Sequence, residues 1–381
     1  MNPFWIGSNL FALLPSALTA FNLLTWPRGR RDAHPAIRPS VLIPARDEEQ
    51  NIEACVRAVL ASDTEPHEVI VYDDQSSDRT AEIVERLCRH HPRLRLIRGG
   101  PLPGGRVGKP HACHQLALAS SGEVLLFVDA DTVLEPGGVR RLLSLLEPAG
   151  GPGADLVTAV PRQQMRGALE RLLMPLLTLT YTGWLPLWLV RHSRDPRFLA
   201  ANGQLLMIRR QVYDRTGGFA AVEREIVDDM ALCRLAKMRG ARVLFADGFE
   251  MASCRMYRSA GELWQGFTKN IYEGLGESRA ALLLALVLYA TAFVWPYLAL
   301  GYALAFAPAW LWPPAVGVGA NLATRAALAL RFRHPASSLL LHPLAVLLLM
   351  ALAVNSLLGN LRGEVFWRGR SYAARRDRMA V

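Results

Sequence analysis

Four groups of acids in this chain are spaced so that they could do chemistry. Asp129 and Asp131 close the apolar run 124–128 (VLLFV), with only Ala130 between them. Two carboxylates spaced i, i+2 at a strand end can serve one hard cation that also grips phosphate oxygens. Asp73 and Asp74 end a second apolar run, 68–72 (EVIVY), and Arg46-Asp47-Glu48-Glu49 ends a third, 40–45 (SVLIPA). Asp228 and Asp229 precede a helical pattern that runs through Met238. Each group also has a plainer reading. Asp129 could cap a helix beginning near Glu135, Asp73 and Asp74 suit turn and cap duty, and acids at a helix N-terminus are favoured electrostatically whatever the function.

The segments around these acids explain why they can meet. Short, continuous apolar runs suit strands buried on both faces of a parallel sheet. Between them lie helical patterns at 51–61, with Ile52, Val56, Val59 and Leu60 on one face, at 79–91 and at 112–120. A further strand at 94–97 leads into a Gly/Pro-rich loop, 99–109. Strands alternating with helices imply βαβ units, and ligands of such sheets gather outside the carboxyl ends of the strands. Three of the acid groups fall there. Beyond them the pattern predicts a strand at 156–161, a strand or hairpin at 198–210 around Asn202-Gly203, and a turn at Gly217-Gly218-Phe219.

The 381 residues are 51% hydrophobic with a mean hydropathy of +0.16, which suits a mixture of globular and membrane parts. Residues 4–26 carry no charge, and 280–307, 309–330 and 339–361 are further apolar stretches of roughly bilayer length. The expected division is therefore an anchor (1–27), a globular domain (28–279), membrane segments (280–361) and a basic tail (362–381). Arg28, Arg30 and Arg31 follow the first stretch, which reads as a signal anchor with its N-terminus outside and the globular part in the cytoplasm, at the inner or plasma membrane. Three further crossings would put the Arg-rich tail outside, so one C-terminal segment is expected not to cross. Stretch 309–330, with Pro313, Pro314, Asn321 and Arg325, is the candidate. Residues 167–190 carry Glu170, Arg171, Pro175 and Pro186 and read as a helix lying in the membrane surface, with Trp184 and Trp188 at headgroup level.

The net charge of +10 clusters beside apolar spans and suits anionic headgroups. No nucleic-acid motif accompanies it, and no nucleic-acid partner is expected. The five cysteines show no paired spacing and suit reduced thiols, while His111-x-x-His114 lacks the further ligand pair a zinc site needs.

The order of these motifs resembles the family 2 glycosyltransferases, whose GT-A fold is a Rossmann-like α/β domain with a mostly parallel sheet. The resemblance covers most of 40–277. It implies that Pro44, Arg46 and Glu48 form the nucleotide-contacting turn, and that Asp73, Asp74 and Ser76 belong to the segment whose acids hold uracil and ribose. It likewise implies that Lys109 lies near the nucleotide, that Asp129 and Asp131 are the metal-binding Asp-x-Asp, and that Asp229, with Asp228 where the family usually has Glu, is the catalytic base. Gly203, Gln265 and Lys269 join the nucleotide-sugar site. The implied cofactor is Mg²⁺ or Mn²⁺, and the implied donor a UDP-sugar. Processive synthases of the family carry Gln-x-x-Arg-Trp, whereas this chain has Gln265 followed by Lys269-Asn270, which favours a single transfer over polymerisation. One N-terminal anchor, Met256 to Ser259, several C-terminal spans and the tail 367–372 (WRGRSY) are similar to membrane enzymes that glycosylate lipids, ceramide glucosyltransferase and hopanoid- or carotenoid-associated enzymes among them. Arg255, Arg258 and Lys269 could balance the leaving diphosphate or contact headgroups. Outside the enzymes, the chain could be a nucleotide-sugar-binding scaffold or a transporter. A transporter does not explain acids at three strand ends, and intact Asp131 and Asp229 argue against a scaffold that has lost catalysis.

Overall fold

A computed structural model describes residues 2–33, 36–147, 153–362, 365–367 and 370–372. In chain order, helices α1 (Pro3–Leu10) and α2 (Leu13–Thr25) come first. Then follow β1 (Ser40–Ala45), α3 (Ile52–Leu60), β2 (Glu68–Asp73), α4 (Thr80–Cys88), β3 (Leu94–Arg98), α5 (Gly108–Ala119) and β4 (Val124–Val128). Next are β5 (Thr132–Leu134), α6 (Gly138–Leu146), β6 (Leu156–Gln163), α7 (Ala168–Leu173), α8 (Pro175–Trp184) and α9 (Leu187–His192). The segment β7 (Leu205–Arg209), α10 (Arg210–Arg215), α11 (Asp228–Met238) and β8 (Val243–Cys254) completes the sheet. Helices α12 (Ala260–Gly274), α13 (Arg279–Tyr289), α14 (Trp295–Phe306), α15 (Trp312–Phe332), α16 (Ser337–Leu340) and α17 (His342–Leu361) lead to a short ribbon, β9 (Val365–Trp367) and β10 (Arg370–Tyr372).

These elements form two compact units. One contains the described residues of Trp26–Gln164 and Leu187–Met256, and the other those of Met1–Thr25, Met165–Pro186 and Tyr257–Ala374.

The first unit is built on an eight-stranded sheet in the order β3-β2-β1-β4-β7-β6-β8-β5. The pairs β1/β2, β1/β4, β2/β3 and β6/β8 are parallel, while β4/β7, β6/β7 and β5/β8 are antiparallel. Strand β4 is buried along its whole length, as its unbroken apolar run requires of a strand covered on both faces. Helix α3 buries Ile52, Cys55, Val56 and Val59, and α4 buries Ala81, Val84 and Leu87, the stripes that 3.6-residue periodicity demands. Antiparallel β7 has a consequence for function. Its register, Val128 opposite Leu205, sets the start of β7 beside the end of β4.

Two strands escaped the sequence reading. β5 is only three residues long, and β8 runs unbroken through Asp247 and Gly248. The strand or hairpin expected at 198–210 is a loop followed by the single strand β7, and the helix expected near Glu135 starts at Gly138.

The second unit is helical. Three of its helical stretches, Pro3–Thr25, Arg279–Phe306 and His342–Leu361, are long and apolar enough to cross a membrane. Their large side chains stay exposed (Leu24 by 87%, Phe306 by 76%), the surface lipid would cover. The first bends at Phe11-Ala12. In the second, Ala290–Val294 forms one π-helical turn just before Pro296, which has no N–H to continue the ladder. Helix α15 falls outside this set. Its Pro313 and Pro314 sit in the first turn, where a missing N–H costs nothing, so the expected interruption is instead a continuous 21-residue helix. The single helix expected at 167–190 is three, because Pro175 and Pro186 each break the hydrogen-bond ladder. Helix α8 buries Leu176, Leu179 and Thr182, and Asn22 of α2 donates to the Thr182 carbonyl at 2.7 Å. Of the tail motif, residues 368 and 369 lie outside the described residues, as do 373–381 of the basic tail.

Candidate active site

The first part of the site is a pair of interlocked loops at the ends of β1 and β2. Asp74 N–H donates to the Ala45 carbonyl at 2.8 Å, and Arg46 Nη1 donates to the Asp74 carbonyl at 2.6 Å. Asp47 lies at φ +52°, which turns its carboxylate back to accept from Ser77 N–H at 2.7 Å. Ser76 Oγ accepts from Asp47 N–H at 3.0 Å, and Thr80 Oγ1 from Glu48 N–H at 2.8 Å. Ser76 and the Glu48 backbone therefore fasten one loop to the other. Half-buried Pro44 enters the first loop from the strand. Asp73 differs from its neighbours. It is 5% exposed, and its Oδ1 meets no hydrogen-bond partner among the described residues. A buried acceptor left open is costly, so Asp73 Oδ1 is a candidate to accept a hydrogen bond from a ligand.

The second part lies at the end of β4. Lys109, in the first turn of α5, brings Nζ to 2.7 Å from Asp129 Oδ1 and 2.8 Å from Oδ2. Asp129 N–H donates to the Gln204 carbonyl at 3.2 Å, which fastens the start of β7 here. Gly203 then lies against the other residues of the cluster. A Cβ on it would stand 3.2 Å from both Asp229 Cβ and Lys109 Nζ. Asp228 and Asp229 are the first residues of α11, and Asp229 accepts from Met230 N–H at 2.7 Å. Lys109, Asp129, Gly203 and Asp229, drawn from four separate stretches, thus meet at one strand end.

Electrostatics divides the labour. Burial works against the Lys109 ammonium, but Asp129 and Asp228 outweigh it and hold the amine charged. Burial lifts the Asp229 carboxyl above the ordinary aspartate range, aided by Asp129 and opposed by Lys109. A carboxylate raised in this way binds a proton more readily than a free one.

The donor set suits a hard divalent ion. Mg²⁺ and its relatives use one or two protein carboxylates and complete their shell with water and substrate phosphates. Both Asp129 oxygens face Lys109, which leaves Asp131 as the better-placed ligand; its Oδ1 accepts from Thr132 Oγ1 at 3.2 Å. Among the described residues no group of three or more His, Cys, Asp or Glu converges, so an all-protein cage is absent there.

Gln265 and Lys269 stand on α12 of the helical unit, and the strand-end cluster is built without them. The sequence reading missed several residues around the site. Glu223 joins Arg106 (2.9 Å) and His111 (3.1 Å) and accepts from Val107 N–H through its carbonyl, so it braces the start of α5, where Lys109 stands. No local signal marks it. Gln204 Nε2 donates to Cys254 Sγ at 2.8 Å, and Cys254 ends β8 opposite Thr132. The apolar run that opens β8 stops at Asp247 and Gly248, so no local pattern marks Cys254.

The mostly parallel sheet, with acids at its strand ends, has the GT-A architecture. A family model described as "Glycosyltransferase like family 2" matches residues 35–269, and the chain belongs to that family. Similar proteins include the 4,4'-diaponeurosporenoate glycosyltransferase of Staphylococcus aureus strain USA300, 27% identical over 66% of this chain. The chain spans 65% of that relative's length. The protein of the same name from strain MRSA252 is 25% identical, covering 89% of each chain. Among solved structures, a mannosyltransferase of Pyrobaculum calidifontis in complex with GDP-Man and Mn²⁺ superposes with a TM-score of 0.50. It has 20% identity over 92% of this chain and 99% of its own, a likeness of fold.

Proposed function

We propose that this protein transfers one sugar from a nucleotide-sugar, a UDP-sugar by preference, to a hydroxyl of a membrane lipid, with inversion and without polymerisation. The observation that carries this reading is the meeting of Lys109, Asp129, Gly203 and Asp229 at the end of β4. Asp73 Oδ1 accepts an N–H of the donor base. Lys109, held charged, balances the diphosphate. Asp229 accepts the proton of the acceptor hydroxyl as that oxygen attacks the anomeric carbon from the face opposite the leaving group. A base so placed contributes about 10²–10⁴-fold, and alignment of donor and acceptor supplies much of the rest. A Mg²⁺ or Mn²⁺ ion bound at Asp131, with Asp129, would supply Lewis-acid neutralisation of the diphosphate. Gly203, with no side chain, lets the backbone pack directly against Asp229 and Lys109.

The lipid acceptor is supported by the apolar helices and by the carotenoid-related name of the Staphylococcus relatives. In this reading the N-terminus is outside, the sheet unit is cytoplasmic, and three spans return the basic tail to the cytoplasm beside the other Arg clusters. Domain 28–279 carries donor chemistry, and 167–190 borders the membrane surface.

The test uses the full chain in nanodiscs with extracted membrane lipids and a panel of UDP- and GDP-sugars, with Mn²⁺ or EDTA. The expected product is a lipid one sugar heavier, by mass spectrometry, lost with EDTA. Long ladders would restore a synthase, and donor binding with no product across a broad acceptor panel would favour a scaffold.

A further inference from the structure

The helical unit holds a buried charge that the proposed transfer does not use. Arg325 of α15 is 1% exposed. Its Nη1 donates to the Pro175 carbonyl at 3.2 Å, and its Nη2 to Ser338 Oγ at 3.0 Å and the Ser338 carbonyl at 3.4 Å. Its Nε is buried without a partner, and among the described residues no carboxylate pairs with it. His334, His342 and Tyr297 all lie within its electrostatic reach. His342 is 0% exposed, with neither ring nitrogen hydrogen-bonded, and its ring meets Phe293 at 5.4 Å and Tyr297 at 6.5 Å. The Tyr297 hydroxyl is also buried and unpartnered.

Three buried, unpartnered polar atoms, both His342 ring nitrogens and the Tyr297 hydroxyl, around an uncompensated guanidinium make a poor packing solution, since an isolated buried cation is costly. Ionisable groups among membrane helices usually mark a binding or transport function. The surroundings also suggest how a ligand could enter. Ser338 belongs to the four-residue helix α16, which carries Leu340, 82% exposed, and is followed by Leu341, 45% exposed. Arg325 lies six residues before Arg331, about 9 Å along the helix axis, and Arg331 and Arg333 form the basic end that suits headgroup depth.

From this geometry we infer an oxyanion-binding recess. The phosphate or carboxylate head of an acidic amphiphile displaces the two Ser338 oxygens and seats on Arg325, with His342 and Tyr297 as further partners, while its chain stays among lipids beside α16. The inference rests on the membrane reading of these helices and not on sugar transfer.

The test is native mass spectrometry and thermal unfolding of the delipidated full chain in neutral detergent. The probes are phosphatidylglycerol, phosphatidic acid, a long-chain fatty acid, phosphatidylcholine and inorganic phosphate. Expected is one retained acidic lipid with at least ten-fold preference over phosphatidylcholine, lost at least ten-fold in Arg325→Gln while UDP binding is unchanged. If Arg325→Gln does not bind UDP and so is misfolded, His342→Phe serves in its place, with a several-fold loss expected. Competition by millimolar inorganic phosphate would identify a phosphate head as the recognised group, and competition by fatty acid alone a carboxylate. Equal retention of acidic and neutral lipid, or undiminished preference in folded Arg325→Gln and His342→Phe, overturns the recess. A chain that binds acidic lipid selectively yet transfers no sugar would sink the proposed function and leave the recess standing.

Discussion

The sheet unit and the helical unit treat buried charge in opposite ways. In the sheet unit cations meet carboxylates: Lys109 faces Asp129, and Glu223 is shared by Arg106 and His111. In the helical unit Arg325 has only neutral oxygens for company. A paired cluster can be tuned residue by residue, because each partner moves the next one's proton affinity. A lone cation can be satisfied only by something that arrives. The first arrangement suits chemistry on a bound donor, and the second suits recognition of an anion.

The comparison breaks most visibly at Asp229. Asp229→Asn is expected to lower kcat by about 10²–10⁴-fold with donor affinity retained, measured by lipid product formation and UDP-sugar titration; full activity would remove Asp229 from the mechanism. Lys109→Met should leave Asp129 without its partner. Donor affinity is expected to fall at least ten-fold, with a stability cost of about 1 kcal/mol because the pair is part-exposed. Gly203→Ala puts a Cβ 3.2 Å from Asp229 Cβ and Lys109 Nζ. A shift of a few tenths of an ångström there should cost about ten-fold in kcat with little change in Tm. In the helical unit the sign should reverse. Arg325→Met removes an unpaired buried charge, so in lipid-free detergent Tm should hold or rise, whereas a fall of several degrees would show that the three oxygen contacts already balance the guanidinium.

The smallest expected effect is a pH dependence away from the site. Glu68 accepts from Ser40 Oγ, Ser121 N–H and Arg95, and although burial opposes it, these bonds hold its carboxyl down at about 2. Between the ordinary glutamate value and about 2 the unfolded chain binds more protons, so stability falls as pH drops through that window. With solvent screening the loss is about 1 kcal/mol. Glu68→Gln should flatten that part of the stability profile in denaturant titrations, and an unchanged profile would assign the acid sensitivity elsewhere.

The sequence by itself determined where strands and helices lie in the first half and which acids stand at strand ends. Apolar runs such as 124–128 bury on both faces wherever they are placed, and the stripe Ile52, Val56, Val59 can bury only as a helix face. The family followed from motif order. Only tertiary structure decided that Gly203 touches Asp229 and Lys109, since antiparallel β7 sets its start against the end of β4 across more than 70 residues of chain. The same holds for Asp129, whose pairing with Lys109 joins the end of β4 to α5, and for Glu223, which carries no local mark at all. Arg325 was visible as a charge in an apolar stretch, but its lack of a counter-ion was not. Pairing depends on which helices surround a residue, and local periodicity carries no information about that.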